Sequence, residues 1–247
     1  MTLTMRTLLV WGLLAGLLGG ILAFTFAATV GEPPVEASIA IEEQAPGHDH
    51  EPAEPAPVSR GVQRTAGLAI ATVAFGLALG GLFALAFAFG YGRIGRLTPQ
   101  VTALVLAGIG FIAVQLAPFL VYPPNPPAVG QPNTIGDRTA LYFTMMAISV
   151  AIAVAACYAR RLIAGWRGVV AAATGYVVLV SAAGVLLPGF DEVPPGFPAQ
   201  VLWEFRLASL GTQAVLWAAI GIGFAFLLDR AEHRATNRAT ADGLAAG

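Results

Sequence analysis

The sequence predicts an all-α, polytopic transmembrane helix bundle of about six spans with both termini inside. Three observations carry that reading. Charged residues make up 11% of the chain and hydrophobic ones 57%, against about 25% charged in a soluble domain. Uncharged apolar runs of spanning length recur six times along the chain. The arginines, the only basic side chains besides three histidines, fall unevenly on alternate connections.

A spanning helix needs about 20 apolar residues. Runs of that order cover 8–30, 65–92, 98–121, 139–159, 168–190 (ending near Leu187) and 207–228. They must be helical, because lipid offers no partners to backbone N–H and C=O groups. No run alternates with the period of two that a barrel strand needs. The first run could instead be a cleaved signal peptide, with Arg6 ahead of it and Thr25-Phe26-Ala27 near its end. Its apolar length exceeds the roughly 7–15 residues of a signal core, which favours retention.

With the N-terminus inside, the inner side carries Arg6, Arg93, Arg96, Arg160, Arg161, Arg167, Arg230, Arg234 and Arg238, and the outer side Arg60, Arg64, Arg138 and Arg206. Excess Arg on the cytoplasmic side fixes that direction. Trp11, Tyr91, Tyr122, Tyr142, Tyr158, Trp166 and Trp203 lie near span ends, where amphipathic rings anchor in the headgroup layer. The layout expected is therefore a first transmembrane helix or signal anchor (1–30), an acidic Pro-rich outer loop (31–64), a five-helix bundle (65–229) and a polar C-terminal tail (230–247).

Several functions are disfavoured at this level. A net charge of −1 gives no field for nucleic acid. The lone Cys157 cannot build a disulfide framework or a four-cysteine metal site. No Gly-rich phosphate motif is present, and no catalytic constellation suggests an enzyme.

Metal-ligand chemistry concentrates in the first outer loop, where Glu43 precedes His48, Asp49, His50 and Glu51. Imidazoles with carboxylates suit a divalent transition metal without choosing which. The alternative is a solvated acidic linker, since high charge and frequent proline do not build a core. Eleven of the 14 acidic residues are assigned to the outer side, which would concentrate cations there. Within the membrane, Gln115 stands three residues before Pro118, whose missing N–H should kink the third helix. Such a helix can line an ion path; polar groups there more often tie helices together. The sixth helix should begin at Pro198 and put Gln200 and Glu204 on one face near the outer mouth. Glu204 then either meets cations or pairs with Arg138 or Arg206. Gly12, Gly16 and Gly20, and again Gly76 and Gly80, recur every fourth residue, the spacing that lets helix backbones approach.

The chain resembles the CbtA family, predicted bacterial cobalt transporter subunits. The resemblance rests on His48-Asp49-His50 with its acidic neighbours, on Gly110-Phe111 followed by Gln115-Leu116-Ala117-Pro118 and Pro123-Pro124, and on the closing helix from Gln200 to Leu228 with its basic tail. It implies a membrane permease subunit that takes up divalent cobalt, or nickel, as cargo for cobalamin synthesis, with no permanently bound cofactor. It also implies a small single-span, His-rich CbtB-like partner in the bilayer. Family members are described with one span fewer than the six counted here. The runner-up is a non-transporting accessory or scaffold subunit.

Overall fold

The computed structural model describes residues 4–44, 58–131 and 133–245. Among them there is no strand, and six helices are long and apolar enough to cross a membrane. We label them α1 (Met5–Glu43), α2 (Arg60–Gly90), α3 (Pro99–Val121), α4 (Ile135–Leu162), α5 (Trp166–Leu186) and α6 (Ala199–Ala245). The six apolar runs of the sequence thus each become one helix.

The helix ends depart from expectation. α1 continues past Val30 through the acidic stretch to Glu43. A π-helical turn, Ala27–Gly31, precedes this extension. Pro33 and Pro34 then fall in the first turn of the resumed α-helix, where a missing N–H costs least. α2 starts at Arg60 and has its own π turn at Gln63–Gly67. α6 continues through the polar tail to Ala245 instead of ending near Asp229. Its first residue is Ala199, one beyond the expected Pro198, and the Pro198 carbonyl accepts from Leu202 N–H at 3.2 Å. Proline's effect on α3 takes the form of a third π turn, Phe111–Leu116, directly ahead of Pro118.

The chain forms two compact units. The first comprises Met1–Ala23, Ala69–Gly108 and Val215–Gly247. Here the glycine spacing is used: a Cβ on Gly12 would strike the Gly80 carbonyl, and a Cβ on Gly20 would come within 2.7 Å of Val73 Cα. Gly223 faces Ala15, and Gly221 faces Ala107. Phe224 sits against Phe83 and Phe87, with centroids 5.3 and 5.0 Å away. Small residues bring backbones close and the rings fill what remains, so this unit packs by shape and dispersion, as lipid-immersed helices must.

The second unit comprises Phe24–Leu68 and Ile109–Ala214. In it α4 packs on α5, with Ser149 Oγ 2.7 Å from the Tyr176 hydroxyl. Those two mid-span polar groups therefore tie helices together. α5 buries only Gly168, whose missing side chain makes room for the Arg160 and Ile163 carbonyls in the turn from α4. The extensions of α1 and α2 are cross-linked by two ion pairs, Glu32–Arg60 at 2.7 Å and Glu36–Arg64 at 2.6 Å. Each pair joins residues 28 apart, and the four-residue steps place both rungs on one side of each helix.

Candidate functional site

Two proline-rich connections, residues 122–134 between α3 and α4 and 187–198 between α5 and α6, belong to the second unit. Pro-rich segments are stiff and extended and carry few internal hydrogen bonds, so side chains must hold them. Glu192 does most of this. Its side chain is 5% exposed. Oε2 accepts from Arg138 Nη1 at 2.9 Å and from Asn125 Nδ2 at 3.0 Å, while Oε1 accepts from the Thr134 hydroxyl. Arg138 Nη2 also donates to the Pro123 carbonyl. Arg206, from α6, donates to Asn125 Oδ1 at 3.1 Å and to the Pro124 carbonyl at 3.4 Å.

Two further bonds close the arrangement. The Tyr122 hydroxyl donates to the Pro188 carbonyl at 2.7 Å. Burial pushes that phenol above its ordinary range, so it remains a donor throughout neutral pH. The Ser38 hydroxyl, wholly buried on the α1 extension, donates to the Pro127 carbonyl. Pro126 to Val129 make a turn closed by Val129 N–H on the Pro126 carbonyl at 3.2 Å. Ala128 adopts φ +65° within it.

These loops wall a cavity of about 1190 Å³. Its polar lining includes Gln115 from the π turn of α3, Thr139 and Tyr142 from α4, Glu42 from the α1 extension, and the Arg138–Glu192 pair. The Gln115 side chain lies close to the Tyr142 hydroxyl. A largely apolar concavity with a few polar side chains, one carboxylate bound by a guanidinium and a second on the α1 extension, can hold a hydrated cation or a small polar solute.

The residues singled out from sequence are placed as follows. Gln115 lines the cavity, and Pro118, three residues before the C-terminal end of α3 at Val121, is fully buried. Glu43 is exposed at the end of α1, beside Glu42 and Gln44, which do line the cavity. Glu204 is exposed and accepts from Gln200 Nε2 at 2.8 Å; of the two alternatives for it, the pairing with Arg138 or Arg206 is not formed, those arginines being engaged by Glu192 and Asn125. His48, Asp49, His50 and Glu51 lie outside the described residues. Among the described residues, no three His, Cys, Asp or Glu side chains gather as metal ligands. Sequence reading did not find the Glu192–Asn125–Arg138–Arg206 network. Its one linear trace is an arginine placed just inside the start of two spans, next to proline-rich loops.

Six helices long and apolar enough to cross a membrane define a multi-pass membrane protein. The chain belongs to the CbtA family: the family model described as "Probable cobalt transporter subunit (CbtA)" matches residues 5–229. No curated protein and no solved structure matches it. The family description, together with the six spanning helices, supports a transport role, and the word subunit implies a larger assembly.

Proposed function

We propose that the chain is a permease subunit of the cell membrane, with both termini inside, through which divalent cobalt or the related nickel ion enters the cell to supply cobalamin synthesis. The observation that carries the proposal is a cavity lined by Gln115, Tyr142, Glu42 and Glu192 in a chain of a cobalt-transporter family. Capture falls to Glu43, His48, Asp49, His50 and Glu51. His48 follows the cavity-lining Gln44 by four residues, a reach of roughly 14 Å at about 3.5 Å per residue. A tethered ligand tract raises the local metal concentration at the mouth. From there the ion passes Glu204, Gln115 and the helix turn ahead of Pro118. Neutral oxygens and few charges suit passage, since a conducting site must also release its ion. A single-span, His-rich CbtB-like protein is the partner proposed for the remaining part of the assembly. No step calls for catalysis or a resident cofactor.

The test is uptake of radiolabelled cobalt by cells expressing the chain with its partner, intact and with His48→Ala and His50→Ala together. Saturable uptake that the double variant lowers several-fold at submicromolar cobalt is expected. Uptake at background with the intact pair would leave an accessory, non-transporting role. Unchanged uptake in the double variant would remove the capture role and spare transport.

A further inference from the structure

We propose that Glu192 is a cation-exchange site inside the cavity, where the guanidinium of Arg138 holds the place that a divalent metal ion takes in passage. This rests on the transport reading above. A carboxylate whose side chain is only 5% exposed is costly to keep ionised unless a cation neutralises it. Of its three donors, Asn125, Thr134 and Arg138, only Arg138 is charged. Arg138 and Glu192 both line the cavity, so a solute there meets the pair directly.

The surroundings allow an exchange. Arg138 Nη2 already donates to the Pro123 carbonyl, so a guanidinium that releases Glu192 keeps an acceptor. Its side chain is 21% exposed, which leaves water to complete its shell. The Asn125 amide and Thr134 hydroxyl still hold the carboxylate in place when Arg138 leaves. Gln115, Thr139, Tyr142 and Glu42 offer further oxygens around the same cavity, the donor types a partly hydrated divalent ion accepts.

The exchange sets the affinity. The Arg138 guanidinium, 2.9 Å from Glu192 Oε2, repels a metal dication that approaches the same carboxylate. The metal therefore binds weakly, and Arg138 returns to displace it, which is what onward movement requires. Without Arg138 the same carboxylate would bind tightly and trap its cargo.

Calorimetric titration of cobalt chloride into the purified full-length chain tests this. His48→Ala and His50→Ala are present throughout, so that only the cavity is read. Arg138→Gln is expected to raise cobalt affinity at least about tenfold, and adding Glu192→Gln should abolish the gain. A folded Arg138→Gln that binds no tighter, or a gain that survives Glu192→Gln, overturns the proposal. Should Arg138→Gln fail to fold by gel filtration, Glu192→Gln alone decides: loss of cobalt binding supports the site and an unchanged isotherm overturns it. Binding is read on purified protein and transport in cells. A chain that imports cobalt yet fails here retains the transport reading.

Discussion

Gly16 and Gly76 meet backbone to backbone: a Cβ built on either would collide with the main chain of the other helix. Neither side can yield without moving a helix. Gly76→Val should therefore destabilise the protein more than the roughly 1–3 kcal/mol of ordinary overpacking, and fluorescence-detected gel filtration should show loss of the monodisperse peak. Gly108→Ala is the contrast, since nothing lies within 4 Å of its Cβ position. It should leave the melting temperature unchanged or raise it, because alanine favours a helix interior by about 1 kcal/mol over glycine.

The turn between α4 and α5 gives a second prediction. Gly165 sits at φ +71°, ψ −157°, a region essentially closed to residues with a Cβ, where strain is of order 1–3 kcal/mol. Gly165→Ala should lower thermal stability by about that amount, read as a downward shift in a detergent melt. Ala128, at φ +65°, predicts the opposite sign. Ala128→Gly relieves a left-handed strain of about 1–2 kcal/mol, partly offset by added unfolded-state freedom, and should raise the melting temperature modestly.

The two rungs between the α1 and α2 extensions should be unequal. The Glu32 side chain is 16% exposed, whereas Glu36 and Arg64 are each about half exposed. Glu32→Gln should cost more stability than Glu36→Gln, for which about 0–1 kcal/mol is typical of exposed pairs. Raising salt to about 1 M should erase the Glu36 effect, since the screening length falls to roughly 3 Å. Equal losses at both rungs, unaffected by salt, would contradict the burial difference.

The proposed orientation has its own measurement. In a background with Cys157→Ala, a cysteine at Glu43 should react with an impermeant maleimide added to intact cells, and one at Gly95 only after the membrane is opened. Labelling at Gly95 from outside would reverse the assignment drawn from the arginines.

What the sequence disclosed was the part of the fold set by local composition. Spanning length and the demand for internal hydrogen bonding identify six helices without any knowledge of neighbours, and glycine spacing marks where two of them touch. Helix ends were less legible. Residues 32–43 are acidic and open with two prolines, which argues for a loop until the cross-links from Glu32 and Glu36 to arginines 28 positions on are known. The cavity was legible at Gln115 alone. Its other polar walls depend on contacts such as Asn125 to Glu192, 67 residues apart, and no local pattern pairs one proline-rich loop with another.

The π turns have a consequence for the tolerance of this chain to insertion and deletion. A π turn holds one residue more than the α-helical ladder requires, so Ala27–Gly31 sets the phase of the face bearing Glu32, Glu36 and Ser38. Deleting one residue there would leave an unbroken, equally apolar helix, yet rotate everything beyond it by about 100°. Ser38 would turn from the Pro127 carbonyl and both carboxylates from their arginines. A reading frame for helix faces thus resets at these turns, and a homologous chain that lacks one should carry its hairpin partners shifted by one position.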